Sequence, residues 1–262
     1  MKTGRVRSGG AGHDISVQPD GSLLSGTGPV LDAAEVEWLA PAHGMIICAA
    51  VNYRSHLAQL EARFHQAPYG QPPRHPVFFI KPENTLIGHG GAVQVPANVP
   101  AIRPGPSLAL VIGRTARRIK AGNVMDFIKG YTLFNDFSLP EDSYFRPPVR
   151  AKCFDSAGPL GPLVVSRDAA PEPADLEVRL YLNGELKQSG RTSDLVWGIP
   201  ALLESLTGFM TLREDDIVAT GFPAGRVDAA VGDRVTVEVE GIGRLENHLV
   251  SEAEYYAGRE AA

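Results

Sequence analysis

Short apolar runs separated by glycine or proline recur along the chain: MIICAAV (45–51), PVFFIKP (76–82), SLALVIGR (107–114) and YTLFNDF (131–137). Each is short for a helix and long enough for a strand, and a helix cannot run through breakers set this densely. The 28 glycines and 21 prolines are spread among the runs and form no low-complexity tract. The pattern predicts many short strands joined by tight turns. Asn183-Gly184 inside LEVRLYLNGELKQSG predicts a two-residue hairpin, and RVTVEVEGIGRLENHLV (234–250) alternates about a turn at 241–243.

Helices are expected in three places. RSHLAQLEARFHQ carries Leu57, Leu60 and Phe64 at helical spacing, with Ser55 as its cap. A short helix is expected over 123–129 with Asn123 as cap. A third runs from Ser193 toward Phe209, distorted or delayed by Pro200. The fold class is therefore mixed, β-rich α+β. Residues 1–42, turn-rich and stopped by Pro41, read as a small accessory segment before a main domain over 43–262.

The net charge of −5 arises from both signs mixed along the 262 residues, so no basic stripe exists to follow a phosphate backbone, and nucleic acid is not an expected partner. No apolar run approaches the roughly 18 residues of a membrane helix, and the basic N-terminus has no apolar core behind it. A cytoplasmic, membrane-free protein is expected. Cys48 and Cys153 have neither zinc spacing nor the number for a disulfide framework.

The densest polar stretch, FNDFSLPEDSYFRPPVRAKCFD (134–155), holds Asp136, Arg146, Arg150, Lys152 and Asp155. An ammonium among apolar neighbours can hydrogen-bond a developing enolate oxygen where water is excluded, which singles out Lys152. From spacing alone the commoner explanation is a partly exposed strand lysine paired with Asp155. Asp136, directly after an apolar strand, is placed either to bind a metal or to cap a turn. His56 can act as a general base, with Gln59 or Glu61 on its helix to orient it, or be a surface histidine. GFPAG (221–225) offers backbone N–H groups to a carboxylate or is simply a turn. No phosphate loop, dinucleotide fingerprint or G-x-S-x-G elbow occurs.

In order and spacing, AAVNYRSHLAQ, PVFFIKPENTLIG, LALVIGRTAR, IKGYTLFNDFS, RAKCFD, YLNGELKQSGRTSDLVW, IVATGFPAG and GDRVTVEVEGIGRLEN resemble the fumarylacetoacetate hydrolase family. The resemblance spans roughly residues 44 to 250. The blocks HQAPYGQPPRHPVFFIKPENTLIG and NDFSLPEDSYFRPPVRAKC are closer still to a decarboxylase/isomerase branch serving 4-hydroxyphenylacetate breakdown. The resemblance implies a β-roll or β-sandwich and action on small 2-oxo or enol dicarboxylates and tricarboxylates. It implies decarboxylation of 5-carboxymethyl-2-oxo-hex-3-ene-1,7-dioate, isomerisation of 2-hydroxyhepta-2,4-diene-1,7-dioate, or both. It also implies that Lys152 and His56 are catalytic and that Arg146, Arg150, Tyr53 and Gly221 bind substrate.

In that family a divalent ion, usually Mg²⁺, is held by an E-x-E pair before the L-A-x-V-I-G-R run and by the Asp of N-D. Here Asp136 is present, but Gly105 and Ser107 stand at the glutamate positions, Gln59 at the acid/base glutamate and Phe222 at a threonine. A hard dication needs several anionic oxygens to replace its water, so no tightly bound metal is expected in this chain. The losses leave two readings open. One is a catalytic subunit working through Lys152. The other is a metal-free, non-catalytic partner of a metal-binding paralogous subunit, in a homodimer or heteromer. An acylpyruvate hydrolase is the weaker third, because its chemistry depends on the missing groups.

Overall fold

Strand Pro106–Ile112 is buried along its whole length because both of its faces are covered. Leu108, Leu110 and Ile112 enter the main core with Val178, Leu180, Val235, Val237, Val239 and Leu245. Ala109 and Val111, on the opposite face, join a second cluster with Ile46, Cys48, Phe134, Leu160 and Ile217. A strand covered on both faces has no polar alternation, which is why this run reads as continuously apolar. The computed structural model that shows this describes residues 1–26, 28, 30–140 and 148–260.

Two sheets make the β-rich frame, one of 12 strands and one of 5. In the larger, Ile128–Asn135, Pro106–Ile112, Ile217–Ala219, Ile46–Ala50 and Val77–Lys81 lie side by side in that order. Three strands separate the first of these from the last, so a flat sheet would hold them roughly 19 Å apart at ordinary strand spacing. Yet Lys81 Nζ lies 2.8 Å from Asp136 Oδ1. The sheet curls into a roll, and the curl is closed where Leu86–Ile87, just after Lys81, pairs with Gly158–Ser166. The smaller sheet, with Glu177–Leu182 and Arg234–Val239 at its centre, packs on the outer face of the roll across the main core.

Local signals account for several details. Asn183 and Gly184 both take positive φ, 52° and 85°, and turn the hairpin of Glu177–Leu182 with Glu185–Arg191. Pro200 sits in the first turn of helix Ile199–Phe209, where its missing N–H costs nothing. Three caps are corrected. Gly198, not Ser193, precedes that helix. Tyr53 precedes helix Arg54–Phe64, and the backbone N–H of Ser55 donates to Asp194 Oδ2 at 3.2 Å. The short helix is a 3-10 segment over Ala121–Phe127 whose Asn123 side chain accepts from the Lys120 N–H inside the first turn.

Residues before 42 form strands with their own small cluster of Val6, Ile15 and Leu23. They join the larger sheet where Lys2–Ser8 pairs with Gly158–Ser166. Among the described residues no helix is long and apolar enough to cross a membrane.

Candidate active site

The register of two central strands sets the site. Pro106 lies opposite Asn135, so Gly105 and Asp136 emerge together at one end of the sheet. The Asp136 N–H donates to the Gly105 carbonyl at 2.9 Å, and the Gly105 N–H donates to Asn135 Oδ1 at 2.9 Å. Side chains two apart on a strand share a face, which puts Asp136 on the Phe134 side, toward the interior of the roll.

Asp136 is 2% exposed and bridges two lysines. Its Oδ1 accepts from Lys81 Nζ and its Oδ2 from Lys152 Nζ, each at 2.8 Å. Lys81 also donates to the Phe137 carbonyl and Lys152 to Ser138 Oγ. The Lys152 ammonium stands 4.5 Å over the Phe79 ring. Arg226 adds a third cation, donating to the Asp136 carbonyl at 2.8 Å, to Ser138 Oγ at 2.9 Å, and to the carbonyls of Arg103 and Pro104.

The charges are mutually dependent. Burial opposes ionisation of Asp136, but Lys152, Lys81 and Arg226 outweigh it and hold the carboxyl below the usual carboxylate range. An ammonium at 4 Å attracts a carboxylate by about 4 kcal/mol at an effective protein dielectric of about 20. Asp136 has two such neighbours, so its charge survives desolvation. Lys81 is pulled down by burial and supported by Asp136. Burial, then Arg226 and Lys152, bring the His56 imidazole down to about 4, so it is neutral at pH 7. His56 is 5% exposed, its ring lies 5.0 Å from that of Phe222, and its Nδ1 has no hydrogen-bond partner among the described residues.

Several expected residues meet here and others do not. Asp136, Lys152, His56, Gly105 and Ser107 share one region. Lys152 ends a four-residue helix, is buried, and bonds Asp136; it is not the partly exposed strand lysine that spacing suggested. Asp155 instead accepts from Asn84 at 2.7 Å. Neither expected helper orients His56: Glu61 is exposed and bonds His65, and Gln59 is exposed. Arg150 is exposed on the short helix before Lys152. Arg146 lies outside the described residues. Tyr53 is fully buried at the start of the His56 helix, and Gly221 takes φ 98° against the Ala49 carbonyl and Asn52.

Lys81 and Arg226 are site residues not singled out from sequence. Their signal was a lysine closing the apolar run VFFIK and an arginine just after GFPAG.

The donor set does not fit the divalent ion of the family. Asp136 brings one carboxylate whose oxygens are both engaged by ammonium groups. Ser107 Oγ is turned onto the Leu108 carbonyl at 2.9 Å. Among the described residues no three His, Cys, Asp or Glu side chains gather as a metal-binding group.

Known proteins share this fold. The C-terminal fumarylacetoacetate hydrolase family matches residues 45–250. The 4-hydroxyphenylacetate degradation bifunctional isomerase/decarboxylase of Escherichia coli is 38% identical over 86% of this chain and 52% of its own length. The chain thus spans about half the length of the bifunctional isomerase/decarboxylases it matches. The crystal structure of 5-carboxymethyl-2-hydroxymuconate delta-isomerase from Mycobacterium smegmatis superposes with a TM-score of 0.84 and 33% identity, covering 96% of this chain and 99% of that one. Maleylpyruvate hydrolase from Sphingobium sp. SYK-6, solved with manganese(II) and pyruvate, shares the fold at a TM-score of 0.80 and 24% identity over 96% of this chain and 99% of its own.

Proposed function

This chain belongs to the fumarylacetoacetate hydrolase family, and from that premise we propose that it serves as one module of a two-module decarboxylase/isomerase acting on small 2-oxo or enol polycarboxylates. The substrate we assign is 5-carboxymethyl-2-oxo-hex-3-ene-1,7-dioate or its decarboxylated dienol. One observation carries the reading: Lys152 is 4% exposed, yet its ammonium is held by Asp136 and Ser138 beside a neutral histidine.

Loss of CO₂ leaves an electron pair that must be delocalised onto the 2-oxo oxygen as an enolate. A pre-aimed ammonium in a dry site stabilises that oxygen far better than water does. In this reading Lys152 donates to the enolate oxygen; Asp136 and Ser138 hold its ammonium in place, and Lys81 and Arg226 fix Asp136 and Ser138 in turn. Isomerisation moves a proton along the same dienolate. Neutral His56, with Nδ1 available among the described residues, is the group assigned to carry it. Arg150, and Arg146 beyond the described residues, are assigned to the substrate's outer carboxylates. Tyr53 and Gly221 shape the wall behind His56, and residues 1–42 are an accessory to the module. No step is routed through a metal, because the donor set does not fit one.

A second reading rests on a different observation. Phe222 fills space next to Gly105, and both Asp136 oxygens already accept from ammonium groups, which suits a module kept for the support it gives a metal-binding sister module. One experiment separates the two. Decarboxylation and isomerisation are measured with the purified chain alone and after addition of a full-length two-module relative's other half. Turnover by the chain alone, lost in Lys152→Ala, supports the catalytic reading. Turnover that appears only with the second half, and is indifferent to Lys152→Ala, supports the partner reading.

A further inference from the structure

We propose that Phe222 and Gly105 are a matched pair that closes the divalent-cation position in this chain, so that Phe222, and not only the missing glutamates, excludes the ion. A Cβ built on Gly105 would lie 2.7 Å from Phe222 Cδ1, 3.1 Å from Cε1 and 3.1 Å from the Asp136 carbonyl oxygen. Real Cβ atoms do not approach carbon at 2.7 Å, so any side chain at 105 requires either the ring or the strand end to move.

Neither is loose. The ring is 7% exposed, with the His56 ring 5.0 Å away and the Arg226 guanidinium 4.5 Å from its centroid. Arg226 is in turn anchored on the carbonyls of Arg103, Pro104 and Asp136 and on Ser138 Oγ. On the other side, Gly105 is fixed by hydrogen bonds to Asn135 and Asp136. A glutamate at 105 must begin in the volume that the ring occupies. Residue 107 lies on the same strand face as 105, opposite Phe134. At position 105 the exclusion is therefore built at one contact, in addition to the absent carboxylates at 105 and 107.

The inference concerns binding and packing, so its test needs no turnover and stands or falls independently of the assigned reaction. Gly105→Ala is expected to lower the melting temperature by about 5 °C or more in the natural background, and by less than half as much when Phe222→Thr is also present. Equal losses in both backgrounds overturn the packing claim. Mn²⁺ binding is then followed by electron paramagnetic resonance of the free ion. The natural chain, Phe222→Thr alone and Gly105→Glu/Ser107→Glu are expected to bind none at micromolar concentration, and the triple variant one per chain. Stoichiometric binding by the natural chain or by the double variant overturns the proposal, and so does a folded triple variant that binds none.

Discussion

Lys81 and Asp136 form an ion pair with almost no solvent on either partner: Nζ to Oδ1 is 2.8 Å, and the side chains are 0% and 3% exposed. Such a pair gives little net stability over a well-packed apolar pair, yet removing one partner is costly because the other charge is stranded. The two ends of this pair are unequal. Asp136 keeps Lys152 if Lys81 is lost, whereas both ammoniums lose their shared acceptor if Asp136 is lost. Asp136→Asn is therefore expected to destabilise by about 3–5 kcal/mol and Lys81→Met by clearly less. Urea unfolding at pH 7 with far-ultraviolet circular dichroism gives both values, and the reverse order contradicts the bridge.

Arg226 makes its contacts through the planar fork of the guanidinium, with Nε on the Pro104 carbonyl at 3.0 Å and a terminal nitrogen on Asp136 and Ser138. A lysine brings one compact charge and cannot reach these oxygens together. Arg226→Lys is expected to lose about 1–3 kcal/mol of stability and to loosen Phe222, whose ring the guanidinium covers. A melting temperature equal to that of the natural chain rejects the clamp.

Lys152 carries the chemistry in the assigned mechanism, so its removal must slow the reaction more than it weakens substrate binding. Lys152→Ala in the active assembly is expected to reduce kcat by about 10²–10³, the range for loss of one oxyanion donor, with KM changed far less. Steady-state kinetics on the decarboxylation step, beside a circular dichroism check of the fold, reads both. Unchanged kcat removes Lys152 from the mechanism.

Much of the fold was legible because its signals are local. Gly- and Pro-bounded runs mark strands, and Asn183-Gly184 marks its hairpin through the positive φ it needs. Helix starts were less legible because the partner at the end comes from elsewhere: the Ser55 N–H is satisfied by Asp194, which no spacing near residue 55 announces. The site divides in the same way. Positions 105, 107, 136, 152 and 56 were readable by resemblance, since motif order keeps them in place. Lys81 was not, because it reaches Asp136 only through the curl of the sheet, and a lysine ending an apolar run looks like any strand terminus. The closure of residue 105 by Phe222 was half legible: both replacements are visible in the sequence, but their contact is a fact of packing.

His56 gives a pH dependence whose sign follows from its burial. Its folded pKa is lowered to about 4, below the ordinary value of 6.5, first by burial and then by Arg226 and Lys152. Above pH 6.5 the imidazole is neutral in both states and adds no pH dependence. Between 6.5 and about 4 the unfolded chain takes up a proton that the folded chain refuses, so stability falls as pH falls through that window. At 1.36 kcal/mol per pKa unit the loss amounts to at most about 3 kcal/mol. The residue faces the Phe222 ring, and Arg226 and Lys152 are the cations that add to the effect of burial. His56→Gln is expected to lose this part of the acid sensitivity while keeping the share due to carboxylates. Chemical denaturation at pH 7.0, 5.5 and 4.5, for the natural chain and the variant, gives the difference curve. Parallel curves for the two proteins rule out a buried neutral His56.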